Sequence, residues 1–302
     1  MLKLGELSES QLQRSLARGL TLKTGPFRFR VQSDAADVAQ GLAKVYPDFT
    51  LAESETGFRD FHVRIDSVAG PRRWFRPQVN FWSDGASPFK PLGSAQACAL
   101  MEWGMNWCIA TRAHHFLLIH AGVLERNGRC VILPGDPGAG KSTLTAALAL
   151  SGWRLLSVEL TIIDPDDGGI FALARPVGLK NQSIDIIRGF SADAIFGSTA
   201  HDTHKGSVAL MRPPQASVER VDEKGRPAHI VFPRWRSGAA TRLTPRPKAD
   251  AFMHLAGHAF NYSLLGRQGF NLNAALIDAC DCWDFEYSQL DEALRSFEGL
   301  VA

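Results

Sequence analysis

The segment Gly135-Asp-Pro-Gly-Ala-Gly-Lys-Ser142 contains the residues whose types and spacing most clearly indicate chemistry. It fits the pattern G-x-x-x-x-G-K-[ST], which is typical of a loop that holds phosphate groups through its backbone N–H groups. In such a loop the lysine reaches the β- and γ-phosphates of a nucleotide, and the hydroxyl that follows binds Mg²⁺. The predicted phosphate contacts are Gly135, Asp136, Pro137, Gly138, Ala139, Gly140, Lys141, Ser142 and Thr143.

The residues on both sides of this segment favour a real phosphate loop over a chance glycine turn. Arg129–Leu133 is a short apolar, β-branched run that predicts a buried strand. Ser142–Leu150 is rich in helix-forming residues and places its leucines near one face. The order of strand, glycine loop and helix is the context that phosphate binding requires, because the N-terminus of the helix adds partial positive charge.

Length and composition exclude several classes of protein. The chain has 302 residues, of which 45% are hydrophobic and 21% charged, a balance typical of globular domains. A formal net charge of +2 gives no electrostatic argument for nucleic acid or for an anionic membrane as a partner. No apolar run approaches the roughly 20 residues of a membrane span, and the first residues lack the apolar core of a signal peptide.

The cysteines point to a reducing compartment. Their number, five, is odd, and their spacing does not match a disulfide framework. We therefore expect reduced thiols in the core and a cytoplasmic protein. Because of the low net charge and the lack of a long apolar run, we expect no nucleic-acid or membrane partner.

Hydrophobic patterning predicts an α/β protein with two domains. Residues 1–92 are expected to form a small α+β domain, and residues 93–302 a second domain that carries the phosphate loop. Other predicted elements are a helix over 1–19 capped near Ser8, a strand or hairpin over 21–31, a helix from a cap at Ser33-Asp34 to 46, a strand over 58–65, two short strands within 71–82, a helix over 93–112, a strand over 230–235, and helices over 248–265, 272–279 and 291–300. Residues 173–188 and 200–214 are predicted to be loop-rich.

A predicted hairpin brings a histidine close to the phosphate loop. Phe116–Glu125 and Cys130–Leu133 flank Asn127-Gly128, a pair typical of a type I′ turn. The second strand leads into the loop, so His120 on the first strand lies near it. His120 could move a proton or touch the γ-phosphate, and an ordinary buried histidine remains the alternative.

Taken together, these segments resemble the catalytic domain of HPr kinase/phosphorylase, and in particular the branch of HPr-kinase-related kinases. The resemblance covers about residues 70–300. It rests on His120-Ala-Gly-Val123, the phosphate loop, Gly152-Trp-Arg-Leu-Leu-Ser-Val-Glu159, Arg175-Pro-Val-Gly-Leu-Lys-Asn181, Lys205-Gly206, Arg212-Pro-Pro214 and Phe260-Asn-Tyr262. It implies that residues 93–302 form a nucleotide-binding P-loop kinase domain on a mixed sheet, related to phosphoenolpyruvate carboxykinases. It also implies transfer of the γ-phosphoryl of ATP to a serine hydroxyl of a small protein with Mg²⁺. It also implies a homo-oligomer.

The resemblance assigns roles to further residues. Lys141 and Ser142 match the family's phosphate and Mg²⁺ residues, and His120 matches its histidine ahead of the loop. The family has two successive acidic residues, the first acting as a base, where this chain has Val158 and Glu159. Valine cannot accept a proton, so either catalysis is limited here or Glu159 serves as a displaced base. Glu159 could also bind Mg²⁺ through water, and a carboxylate that faces solvent at the end of a strand remains the alternative. Lys180 and Lys205, in glycine-containing segments, are candidates for closing over phosphates, although basic residues in loops are commonly only solvated.

Three functions remain open from the sequence. The first is an ATP-dependent Ser/Thr kinase acting on a peptide or small protein. The second is a small-molecule kinase on the same frame. The third is a nucleotide-binding regulator or pseudokinase, which Val158 favours.

Overall fold

The computed structural model describes residues 2–51, 57–70 and 74–301, which form two compact units. The first unit comprises Met1–Ile109, Arg175–Arg188 and Ala192–Glu219, and the second comprises Ala110–Ala174, Gly189–Ser191 and Arg220–Ala302. The units do not follow the predicted division at residue 92. The first extends further along the chain and takes in two later segments.

Both units combine helices with sheets. The helices are α1 Glu9–Arg18, α2 Ala36–Val45, α3 Ala97–Arg112, α4 Lys141–Leu150, α5 Gln182–Phe190, α6 Gln215–Glu219, α7 Lys248–Gly257, α8 Tyr262–Leu265, α9 Arg267–Ala279 and α10 Leu290–Leu300. The strands are β1 Leu20–Thr24, β2 Phe27–Ser33, β3 Phe61–Ser67, β4 Gln78–Ser83, β5 Leu92–Gly93, β6 Leu117–Ile119, β7 Ala121–Arg126, β8 Arg129–Pro134, β9 Arg154–Ser157, β10 Thr161–Ile163, β11 Ile170–Phe171, β12 Val177–Lys180, β13 Ala200–Thr203, β14 Gly206–Met211, β15 Pro227–Trp235, β16 Arg242–Pro245 and β17 Asp281–Tyr287. The predicted mixed α/β class is confirmed.

The first unit contains a five-stranded sheet in the order β1-β2-β3-β4-β5. Helix α1 begins where predicted, because the Ser8 hydroxyl accepts from the backbone of Gln11 while the Gln11 side chain accepts from the backbone of Ser8. Helix α2 begins later than predicted, with Ala35 rather than Ser33-Asp34 at its N-cap. The Asp34 carboxylate instead accepts from the backbone of Ser67 at the end of β3. Two strands were predicted within residues 71–82. Residues 71–73 lie outside the described residues, and the structure places β4 in the part that follows them.

A second sheet in this unit, ordered β12-β14-β13, corrects the prediction of loops over 173–188 and 200–214. In β12 only Val177 and Leu179 are buried, and they alternate with Gly178 and an exposed Lys180. Two apolar positions are too few to distinguish a strand from a loop by periodicity, so the pairing with β14 decides the structure.

The second unit is built on a mixed six-stranded sheet ordered β16-β17-β15-β8-β7-β9. Strand β15 is parallel to both β17 and β8, whereas β7 is antiparallel to β8. The predicted hairpin is confirmed: Asn127 and Gly128 both have positive φ, 54° and 73°, as a type I′ turn requires. The register pairs Ala121 with Pro134, so the residue after His120 lies opposite the last residue before the phosphate loop.

A small sheet, β11-β10-β6, shares the core of this unit with helices α7 and α9. The helix predicted over 248–265 is divided into α7 and α8, and β17 was not predicted. The five cysteines are buried and free, which confirms the expected reduced thiols. Over the described part of the chain, every helix is too short or too polar to cross a lipid bilayer.

His229 on β15 makes the stability of the second unit sensitive to acid. Its side chain is 3% exposed, and the Trp283 indole donates to its Nδ1 at 3.4 Å, so this nitrogen must be unprotonated. Burial lowers the pKa of His229 and the charge of Arg129 lowers it further. The unfolded chain therefore binds more protons below pH 6.5, and stability is lost as the pH falls from 6.5 toward the lower folded pKa.

We expect the free energy of unfolding in urea to fall between pH 7.5 and 5.5, and to fall less in His229→Gln, which cannot take up the proton. The control for the substitution itself is His115→Gln, because His115 is an exposed histidine of the same unit. Identical pH slopes for wild type and His229→Gln would contradict this assignment.

Candidate phosphate-binding site

The predicted phosphate loop connects β8 to α4, and glycine is required at its last position. Gly140 is the N-cap of α4 with φ 88° and ψ 2°, a left-handed conformation. A Cβ atom at this position would lie 2.4 Å from the Tyr287 hydroxyl oxygen and 3.0 Å from the Trp235 Cβ. Both the backbone conformation and the surrounding atoms therefore exclude a side chain at position 140.

Four backbone carbonyls of the loop accept hydrogen bonds from Lys141, Trp235 and Tyr287. The Lys141 ammonium donates to the carbonyls of Gly135 and Asp136, the latter at 3.1 Å. The Trp235 backbone N–H donates to the Ala139 carbonyl at 3.1 Å, and the Tyr287 hydroxyl donates to the Gly140 carbonyl at 3.2 Å. The carbonyls of residues 135, 136, 139 and 140 are thereby held by hydrogen bonds.

The start of helix α4 supplies backbone N–H groups next to these carbonyls. The first N–H groups of a helix have no acceptor within the helix, and at α4 they add to the positive end of its dipole. Ser142 and Thr143 lie in this first turn and are partly exposed, whereas the Lys141 side chain is only 8% exposed. The arrangement presents donors and positive charge to an anion.

Tyr287 is a part of this site that the sequence did not reveal. It lies at the end of the unpredicted strand β17, and 147 residues separate it from Gly140. Burial raises the pKa of Tyr287 well above its usual range, so the hydroxyl keeps its proton and remains a donor to the loop.

His120 and Glu159, predicted separately as candidates, lie together. The His120 Nε2 is 3.0 Å from the Glu159 Oε2, and the two side chains are 31% and 37% exposed. His120 lies between β6 and β7, and Glu159 lies in the bend between β9 and β10. An imidazole hydrogen-bonded to a carboxylate can accept, hold or pass on a proton, and solvent reaches both groups.

Val158, the position of the family's aspartate base, occupies the same bend but is buried. Its side chain is 8% exposed and belongs to the hydrophobic core. The neighbouring Glu159 is the partly exposed member of the pair. The local backbone therefore turns the second residue of the pair, rather than the first, toward His120.

Two histidines that were not singled out from the sequence lie beside the loop. The His258 Nε2 is 3.8 Å from the Asp136 Oδ1, and its ring centroid is 6.4 Å from that of His120. Burial lowers the pKa of His258, and the charge of His254 lowers it further. Burial and the charge of Arg246 lower the pKa of His254. Their spacing of four residues on a predicted helix was the signal available in the sequence.

The predicted phosphate contacts Lys180 and Lys205 belong to the first unit. Both are exposed, Lys180 at the end of β12 and Lys205 in the turn before β14. The Lys205 ammonium lies 5.1 Å from the ring centroid of Trp103. Asn181 connects the two segments, because its side chain donates to the Lys205 carbonyl and accepts from Ser207. Their role toward phosphate remains a prediction.

The predicted metal ligands, Ser142 and Glu159, offer a hydroxyl and a carboxylate. Such oxygen donors suit Mg²⁺, which keeps several waters and binds few protein groups directly when it accompanies a nucleotide. The partial exposure of both side chains leaves room for that hydration.

Comparisons with known proteins leave the family open. No protein-family model matches the chain, and no curated protein matches it. Among solved structures, the HPr(Ser) kinase/phosphatase from Coxiella burnetii aligns over 61% of this chain and 93% of its own, with 11% sequence identity and a TM-score of 0.28. A similarity at this level does not establish the family or the activity of this chain.

The burial of Val158 makes a prediction about this position. We expect Val158→Asp to destabilise the protein by about 2–4 kcal/mol without increasing any phosphoryl-transfer rate, because a carboxylate would be placed in an apolar environment. Thermal melting and turnover are measured on the same preparation, with Val158→Asn as the uncharged control of equal size. A tens-fold gain in rate at unchanged melting temperature would show instead that Val158 occupies the position of the base.

Proposed function

We propose that this protein binds ATP with Mg²⁺ on Gly135–Thr143 and transfers the γ-phosphoryl group to a hydroxyl of a peptide or small protein. The observation that carries the proposal is the set of hydrogen bonds by which Lys141, Trp235 and Tyr287 engage four backbone carbonyls of the loop. A loop fixed in this way is a preorganised anion site. The proposed fold type is accordingly a P-loop kinase domain.

The proposed reaction is an in-line displacement at the γ-phosphorus. The acceptor oxygen forms a bond to phosphorus while the bond to the β,γ-bridging oxygen breaks, and ADP leaves. Lys141 would exchange its loop carbonyls for phosphate oxygens, and Ser142 would hold the Mg²⁺. The proton of the acceptor hydroxyl would pass to Glu159, with His120 as its partner 3.0 Å away.

The resemblance to HPr-kinase-related kinases supports a hydroxyl of a protein as acceptor, and it is also the reason for proposing a homo-oligomer. A small-molecule acceptor on the same frame is the variant of this proposal. A nucleotide-binding regulator is the second candidate, and the observation that favours it is the apolar Val158 where the family has an acidic base.

The test is phosphoryl transfer from γ-labelled ATP to peptides and to proteins of a cell lysate. We expect Glu159→Gln to lower the transfer rate by about 10²–10⁴-fold, the usual effect of losing a general base, while ATP still binds. The control is Glu298→Gln, since Glu298 is an exposed carboxylate in the same unit that pairs with Arg126 at 3.5 Å.

Two results would change the proposal. Equal transfer rates in Glu159→Gln and Glu298→Gln would remove the role given to Glu159. Tight ATP binding by the wild type, without transfer or hydrolysis, would favour the regulator.

A further inference from the structure

We propose that Asp136, His254 and His258 form a binding site for a divalent transition-metal ion of the Zn²⁺ type, beside the phosphate loop and separate from its Mg²⁺. The proposal does not depend on the function proposed above, because it concerns a different ion, two residues outside the loop and binding in the absence of nucleotide.

The three side chains already converge. Each offers one ligand atom, and these atoms all lie within 4.8 Å of one another. His254 lies in the last turn of α7 and His258 is the residue that caps this helix. Because they are four residues apart, both rings lie on the same face of the helix. Their ring centroids are 4.9 Å apart. Asp136 comes from the phosphate loop and its side chain is 78% exposed, which leaves it free to rotate toward the histidines.

The donor set fits the chemistry of zinc. Two imidazoles and one carboxylate are among the ligand sets that bind Zn²⁺ with a fourth position left for water or another ligand. Metal–ligand distances of about 2.0–2.2 Å in a tetrahedron correspond to roughly 3.3–3.6 Å between ligand atoms. Rotation of the exposed Asp136 and small adjustments of the rings would close the remaining gap.

His254 also has an unsatisfied nitrogen. Among the described residues, its Nδ1 is one of the buried side-chain atoms without a hydrogen-bond partner. Such an atom costs free energy unless a ligand or proton satisfies it. The ring is held by a stacking contact with Phe232 at 4.7 Å between centroids and 12° between planes. A metal coordinated through Nδ1 would satisfy a nitrogen whose ring is already positioned.

The surrounding charges do not prevent a cation from binding. Arg246 lies near His254, but its guanidinium donates to the Asp284 carboxylate at 2.8 Å. The Lys141 ammonium is directed at the carbonyls of the phosphate loop. The carboxylate of Asp136 adds a negative charge to the site, and this charge attracts a cation.

A metal ion at this site would connect the phosphate loop to the hydrogen-bonded pair His120 and Glu159. Asp136 is the second residue of the phosphate loop, and the His258 carbonyl accepts from the backbone N–H of His120 at 2.8 Å. The ion would therefore tie the loop to α7 and to the strand edge that bears His120.

The experiment uses full-length protein without a histidine tag, stripped of metal, with no nucleotide present. Zn²⁺ is titrated by calorimetry and by competition with a chromogenic chelator. We expect one ion per chain and a melting temperature raised by a few degrees at saturation. We expect Asp136→Asn and His258→Gln each to weaken binding by about tenfold or more. The control His115→Gln, an exposed histidine in the same unit, should bind as the wild type does.

Two further measurements make the result decisive. Far-UV circular dichroism establishes that each variant is folded, and the exposed position of Asp136 makes Asp136→Asn a safe substitution. Excess Mg²⁺ should leave Zn²⁺ bound, because imidazole ligands favour zinc over magnesium. Absence of saturable Zn²⁺ binding, unchanged affinity in folded Asp136→Asn and His258→Gln, or displacement by Mg²⁺ would each overturn the proposal.

Discussion

The hydrogen bonds that fix the carbonyls of the phosphate loop are the constraint on which the rest of the site depends. Lys141 acts within the loop, whereas Trp235 and Tyr287 act from β15 and from the end of β17. Because β15 runs parallel to both β17 and β8, the ends of these strands meet at the edge from which the loop departs. The six-stranded sheet therefore shapes the loop as well as supporting it, and glycine at 140 lets Tyr287 approach closely enough to donate.

The pair His120 and Glu159 lies on the antiparallel side of the same sheet. Strand β7 pairs with β8 and β9, which brings His120 and the bend after β9 together and places Glu159 within hydrogen-bonding distance of the imidazole. The burial of Val158 gives a physical reason for an apolar residue there: the bend directs one side chain to the core and the next to solvent. A carboxylate is thus retained near the loop although the expected acidic pair is incomplete.

Several local signals in the sequence were correct, although the cap at Ser33-Asp34 was not, and contacts between distant segments were not visible. The Ser8 cap, the Asn127-Gly128 turn and the strand–loop–helix around Lys141 depend on residues a few positions apart, and the structure has them as predicted. Strands β12 and β14 were missed because pairing across the chain, rather than apolar periodicity, stabilises them. Tyr287 and His258 were missed because only tertiary folding brings them to the loop, from more than 100 residues away.

The central claim is that the fixed loop is a nucleotide-phosphate site in which Lys141 supplies the charge. Calorimetry with ATP and Mg²⁺ on wild type and Lys141→Ala tests it most directly, with Lys248→Ala as the matched loss of an exposed lysine in the same unit. The account predicts saturable binding by wild type and Lys248→Ala, and a loss of about tenfold or more in Lys141→Ala, since charge-assisted hydrogen bonds to phosphate are removed. A folded Lys141→Ala protein that binds ATP with unchanged affinity would contradict it.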